Sequence, residues 1–117
     1  MSAASSYDIF RRLHEDGLLL LANAWDAGTA RLIETLGAKA IATTSAGVAW
    51  SHGHADGDHL PVGQLLATAE NIARVIRVPL TVDIESGNSD DPTAVADLVT
   101  RLAAVGVAGI NLEDGAS

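Results

Sequence analysis

The chain is 117 residues long and carries 15 acidic against 7 basic side chains, a formal net charge of −8, so a phosphate-facing surface of clustered Lys and Arg, and with it a nucleic-acid partner, is not expected. It contains no cysteine, which rules out disulfides, zinc–thiolate centres and cysteine nucleophiles in this stretch and fits a reducing compartment. Hydrophobic residues make up 48% and aromatic ones 3%, which predicts one aliphatic core; no apolar run reaches the ~18 residues of a membrane span and Met1 to Tyr7 lacks a signal peptide's basic and apolar regions, so no membrane partner and a cytoplasmic location are expected.

Helix and strand signals alternate along the chain, the pattern of β/α units around a parallel sheet. Ser5 or Ser6 can cap a first helix with Ile9, Phe10 and Leu13 on its apolar stripe, and Gly17 sits where such a helix ends. Leu18 to Ala22 is a continuous apolar run of strand length, as expected for a strand covered on both faces. Asp26 can cap a second helix that carries Ala30, Ile33 and Leu36 and closes at Gly37. A second strand is predicted near Ala38 to Thr43, opening into Thr44-Ser45-Ala46-Gly47, and the Gly-, Asp- and His-rich stretch from Trp50 to His59 predicts a long loop. Leu65, Ala69, Ile72, Ala73 and Ile76 recur at helical spacing between Val62 and Arg77, and Pro79 turns the chain into a third strand. Asp91-Pro92 is a helix start, followed by Val95, Leu98, Val99 and Leu102 on one face, and Ala108 to Glu113 predicts a fourth strand.

The third strand, Leu80-Thr81-Val82-Asp83-Ile84-Glu85, places Leu80, Val82 and Ile84 on one face and Thr81, Asp83 and Glu85 on the other. In the fourth strand Ile110 and Leu112 oppose Gly109, Asn111 and Glu113. One face therefore turns polar toward the C-terminal strand ends, which suits the interior of a barrel, where strand-end side chains converge on the active site. Asp83, Glu85 and Glu113 are expected to gather at that mouth, with Asp56 reaching it from the long loop. Acids at strand ends are often merely solvated or cap the next helix, but three at inward positions of adjacent strands favour a hard cation such as Mg²⁺. His52, His54 and His59 share one loop without cysteine or a rigid element and are expected to be solvated rather than to bind zinc. Trp25 and Trp50 are expected to pack at the mouth, and no glycine-rich nucleotide loop is present.

The segments Asn23-Ala24-Trp25-Asp26, Thr44-Ser45-Ala46-Gly47-Val48, Val82-Asp83-Ile84-Glu85-Ser86-Gly87 and Gly109-Ile110-Asn111-Leu112-Glu113-Asp114-Gly115 resemble, in order and spacing, the successive strand ends of the isocitrate lyase/phosphoenolpyruvate mutase family. The resemblance runs from about Leu18 to Gly115. It implies an α/β fold, the first half of a TIM-type (β/α)8 barrel with about four parallel strands in order 1-2-3-4 and outer helices. Residues 1–117 would then form a partial barrel domain truncated after the fourth strand, since a whole barrel takes about 250 residues.

In function it implies a Mg²⁺-dependent carbon–carbon lyase (Mn²⁺ a possible substitute) acting on a small 2-oxo or hydroxy di- or tricarboxylate through a metal-stabilised enolate. Asp83, Glu85 and Glu113 match its metal-shell acids. Ser45, Ala46 and Gly47 match its substrate-carboxylate loop, and Asp56 matches a further acidic position near the substrate. Glu85 stands where Asp is common, Ala46 where Gly is common and Asn88 where an aromatic is common. The family's mobile Lys-x-Cys-Gly-His loop follows the fourth strand and is expected beyond Ser117, outside this sequence, so the catalytic residues are unassigned and the chain alone is expected to be inactive. Within the family, P–C mutase or hydrolase chemistry is the neighbouring alternative. From a different class, a non-catalytic half-barrel that binds metal or a partner is the other. Exposed edges on the first and fourth strands predict self-association, and a homo-oligomer is expected.

Overall fold

A computed structural model describes residues 5–115. Ser117, the position after which the catalytic loop is expected, lies outside the described residues. Four parallel strands form one sheet in the order β1 (Ala22–Ala24), β2 (Ile41–Thr43), β3 (Leu80–Asp83), β4 (Gly109–Asn111). Sequence order and sheet order coincide because each crossover is a helix that returns the chain beside the strand it has just left. The crossovers are α2 (Ala27–Thr35) after β1, the short α3 (Ser45–Ser51) followed by α4 (Val62–Val75) after β2, and α5 (Pro92–Ala104) after β3, with α1 (Ser6–Leu13) preceding the sheet.

The helix starts follow local chemistry. Ser5 caps α1 by accepting from the Asp8 amide. Asp26 accepts from the Thr29 amide while the Thr29 hydroxyl meets the Asp26 amide, a reciprocal capping box. Asp91 caps α5 with Pro92 at its first turn. The core lies between the sheet's outer face and α2, α4 and α5, where Ile41, Leu80, Val82 and Ile84 meet Ala30, Ala69, Ile72, Ile76, Leu98 and Leu102. On the opposite, inner face, Thr81 stands beside Gly109, and the Phe10 ring of α1 lies 2.8 Å from where a Gly109 Cβ would be. Here α1 departs from the expected purely outer layer: it covers the N-terminal end of the inner face, where a side chain at position 109 would displace the Phe10 ring. None of the helices among the described residues is long and apolar enough to cross a membrane.

Two elements differ from expectation. The first strand is Ala22–Ala24, not Leu18–Ala22, and Leu18 and Leu20 are exposed, at 86% and 76%. The leucine run lies beyond the pairing of β1 with β2, which begins at Ala22↔Ile41, so it has no sheet to cover it. Ser45 to Gly47, matched to a loop, and Trp50 and Ser51, expected to begin the long loop, instead lie in α3 (Ser45–Ser51), whose Val48 and Ala49 are buried with Leu60. Seven residues, about two turns, carry too few repeats to show helical periodicity.

The turn from α4 into β3 hangs on one carboxylate. Glu34 of α2 accepts from the amides of Arg77 and of Val78 (3.0 Å) and pairs with Arg31 at 2.9 Å. Burial opposes the Glu34 charge, but the Val78 and Arg77 amides, and then the Arg31 guanidinium, outweigh it and hold its carboxyl below the ordinary carboxylate range.

Ile72 is fully buried, so Ile72→Ala should cost about 3 kcal/mol in denaturant unfolding through lost burial and the cavity left behind. Glu34→Gln should cost about 1–2 kcal/mol at neutral pH. Because the folded-state pKa of Glu34 is the lower one, its stabilisation is complete above the unfolded-state value near 4.3 and is lost as pH falls through the folded one. The gap in thermal midpoint between wild type and Glu34→Gln should accordingly narrow as pH is lowered below that value.

Candidate active site

The C-terminal ends of the four strands carry the candidate site. Alternation from the outward Leu80 and Val82 puts Thr81 and Asp83 on the inner face, with Asp83 paired to Asn111 across β3 and β4. Asp83 is half-buried, its amide donates to the Thr43 hydroxyl at 3.0 Å, and its Oδ1 accepts from the Glu85 amide at 2.9 Å. The second oxygen, Oδ2, has no hydrogen-bond partner among the described residues.

Glu85 ends the strand rather than continuing it. Its φ is +53°, in the left-handed region that a side chain makes costly. That reversal carries its carboxylate away from Asp83 and onto the loop after α3, where it accepts from the Gly57 amide at 3.2 Å and from the Asp58 amide, also 3.2 Å, through both oxygens. The neighbouring Ser86 hydroxyl donates to Asp58 Oδ2 at 2.9 Å. Burial is the largest influence on Glu85 and pushes its carboxyl above the ordinary range; the Asp58 charge and a hydrogen bond with the Asp56 side chain push the same way, and the Asp58 and Gly57 amides only partly offset them. Glu113 is exposed and joins the site through its backbone, its amide donating to the Glu85 carbonyl at 2.7 Å.

The structure thus links Asp83, Glu85, Glu113 and Asp56 into one neighbourhood without gathering their carboxylates on one point. Among the described residues no three acidic or histidine side chains are grouped closely enough to hold an ion by themselves. Asp58 and Ser86 belong to this neighbourhood and were missed in the sequence. Asp58 adopts φ +62° beside Gly57, and the Asp56-Gly57-Asp58 spacing was the signal that could have pointed to it. The catalytic loop expected after Ser117 falls outside the described residues, so none of the positions at this site is assigned a catalytic role.

Ser45, Ala46 and Gly47 form the first turn of α3 rather than a loop, with Thr44 at the N-cap making no side-chain hydrogen bond. First-turn amides have no acceptor within their own helix, which leaves them available to an anion. A groove of about 530 Å³ runs past them, lined by Trp25, Thr44, Ala46, Gly47, Trp50 and Ser51. Glycine suits position 47, since a Cβ would stand 2.7 Å from Thr44 Cγ2 and 3.3 Å from Trp25 Cβ and would force those side chains to shift. Trp25 packs on this turn as expected, whereas Trp50 is 67% exposed. A second groove, of about 510 Å³, lies at the other end of the sheet between Leu18–Ala22 and Leu36–Lys39, holds no acid, and is remote from the strand ends that carry the chemistry.

The residues present suit a hard divalent cation in their donor chemistry. The donors are carboxylates only, and Asp58 Oδ1 is buried without a hydrogen-bond partner. The ion pairs among the described residues engage Glu15, Glu34, Glu70 and Asp97, leaving the acids at the strand ends without a cationic side chain. His52 instead meets the Thr68 hydroxyl at 2.8 Å, on the α4 side.

Comparison with known proteins agrees with this architecture. The family model for phosphoenolpyruvate phosphomutase matches residues 10–117. An uncharacterized protein of Mycobacterium tuberculosis is 42% identical over 109 residues, covering 92% of this chain and 41% of the relative. The crystal structure of a Burkholderia cenocepacia protein with suggested phosphonomutase activity superposes with a TM-score of 0.89 at 41% identity, covering 94% of this chain and 45% of the other. That of 2,3-dimethylmalate lyase, a member of the PEP mutase/isocitrate lyase superfamily, gives 0.86 at 28% identity, covering 98% and 39%. The chain therefore spans roughly four-tenths of the length of the proteins it matches. With the family model spanning nearly all of it and the strand order in agreement, the chain belongs to the phosphoenolpyruvate mutase/isocitrate lyase superfamily of enzymes.

Proposed function

We propose that these residues supply the metal side and the carboxylate-binding turn of a Mg²⁺-dependent carbon–carbon lyase acting on a small 2-oxo or hydroxy di- or tricarboxylate. The observation that carries this reading is the uncompensated set of oxygen donors around Asp83, at the strand ends where barrel enzymes place their sites. Mg²⁺ takes one or two carboxylates directly and keeps several waters, which suits an arrangement with one inward-facing acid and others at a remove. Asp83, through its free Oδ2, would hold the ion, with Glu85 and Glu113 acting through water. Bound there, the ion supplies a fixed positive charge beside an oxygen on which negative charge develops.

The chain's own residues do the rest. The first-turn amides of α3 and the Ser45 hydroxyl would receive a substrate carboxylate, beside a groove lined by Trp25, Ala46 and Gly47. The Thr43 hydroxyl, by accepting from the Asp83 amide, fixes the strand end that aims Asp83. Asp56 extends the acidic rim. General acid–base groups would lie on parts of the full barrel that this chain does not contain.

Two outcomes test the proposal. Calorimetry with Mn²⁺ should show weak binding to the chain that Asp83→Ala lowers at least about tenfold, the scale expected for loss of a direct ligand, and that His54→Ala leaves unchanged. Equal affinity in wild type and Asp83→Ala would place the ion elsewhere. The purified 117-residue chain should show no turnover of 2-methylisocitrate, isocitrate or oxaloacetate, because loss of acid–base groups removes several powers of ten in rate; measurable turnover would refute the division of labour.

A further inference from the structure

We infer that Glu85 is a positioning residue whose carboxylate latches the Asp56-Gly57-Asp58 segment onto the end of β3 and so delivers the loop's acids to the site at Asp83. The inference rests on the reading of Asp83 as a divalent-cation ligand, but its central observation is independent of any metal. Among the described residues, the hydrogen bonds that tie residues 55–59 to the rest of the chain end on Glu85 or Ser86. On one flank His54 is tied to the Ala49 carbonyl at 2.9 Å, and on the other Leu60 is buried with Val48 and Ala49. The span between these anchors is irregular chain, with Gly57 at φ +100° and Asp58 at φ +62°. Successive left-handed residues turn their amides toward one acceptor, a geometry suited to an anion. Here the anion is supplied by the protein itself.

The direction of the contact matters. A carboxylate held against two loop amides at 3.2 Å is oriented toward the loop, so Glu85 acts on an ion at Asp83 through water rather than as a direct ligand. Its left-handed backbone, unfavourable in a residue with a side chain, is what turns the side chain toward the loop. The same backbone keeps the Glu85 amide on Asp83 Oδ1 and its carbonyl on the Glu113 amide. Reach is the second requirement. Shortening the side chain by one methylene withdraws the carboxylate by about 1.5 Å, beyond hydrogen-bond range of amides already at 3.2 Å.

The test uses the 117-residue chain, with Glu85→Asp removing reach at constant charge and Glu85→Gln removing charge at constant reach. Hydrogen exchange at residues 57 and 58 should accelerate about tenfold in Glu85→Asp, as expected when a local anchor is lost, while Glu85→Gln retains most of the protection. Ser86→Ala should accelerate exchange at Asp58 alone, and it tests the latch even if Glu85→Asp folds poorly. Mn²⁺ affinity supplies the readout that a merely structural residue would not move. Asp56→Asn should weaken Mn²⁺ binding about threefold in wild type and have no further effect in Glu85→Asp, because the acid is then no longer held at the site. Unchanged exchange in both Glu85→Asp and Ser86→Ala, or additive losses in the Asp56→Asn and Glu85→Asp pair, would overturn the inference. So would loss of Mn²⁺ binding in Glu85→Gln as complete as in Asp83→Ala, which would make Glu85 a direct ligand. If Asp83→Ala binds Mn²⁺ normally while the exchange results hold, the cation reading fails and the latch stands.

Discussion

The backbone reversal at Glu85 is the constraint on which the candidate site depends. A strand that continued to residue 85 would place a third polar side chain on the inner face and leave the loop after α3 unattached. By entering the left-handed region at φ +53°, the chain uses one residue for three purposes. Its amide fixes Asp83, its carbonyl fixes Glu113, two residues past β4, and its carboxylate fixes the loop. Each bond is of ordinary strength, but together they bring the ends of β3 and β4 and a distant loop into one neighbourhood. The local backbone cost is of the kind that recurs at functional sites, where surrounding contacts over-determine a conformation the residue would not choose alone.

Opposed demands divide the two faces of the sheet. The outer face is apolar and closed, with Ile41, Leu80 and Val82 almost without solvent contact beneath α2, α4 and α5. At the C-terminal strand ends, acids accumulate without a cationic side chain among the described residues to balance them, and the carboxyl of Glu85 is held above its ordinary range mainly by burial. Packing stabilises the first face, while the second is left electrostatically unsatisfied. That separation lets a barrel keep its scaffold while its rim is specialised for chemistry.

Much of the architecture was legible from period and punctuation. Alternation in Leu80–Asp83, the caps at Ser5, Asp26 and Asp91, and the terminating Gly37 are local signals whose physics is local, whereas α1 ends at Leu13 with its cap at His14, three residues before the Gly17 expected to close it. The elements that escaped depend on tertiary context. Leu18 and Leu20 have the composition of a buried strand, yet nothing in the sequence shows that pairing with β2 begins only at Ala22. Helix α3 is seven residues long, too short for a 3.6-residue period to declare itself, so its first turn was read as loop although the residues themselves were picked out. At the site, Asp83 followed from strand phase, but the orientation of Glu85 did not. A period-two pattern assumes that the strand continues, and only the backbone shows that it stops.

The coincidence of sheet order with sequence order also bears on how the chain is made. During synthesis each strand leaves the ribosome when its sole preceding neighbour, with the crossover helix that covers it, has already emerged. Among the pairings of these four strands none waits for a partner encoded far downstream, as it would in a sheet whose order is permuted. Such a nearest-neighbour sheet can grow by accretion, one β/α unit at a time, each addition covering the edge that the last one left open. In such a sheet each earlier unit offers an edge to the next, and Asn111 can take its place beside Asp83 only once the fourth strand has emerged.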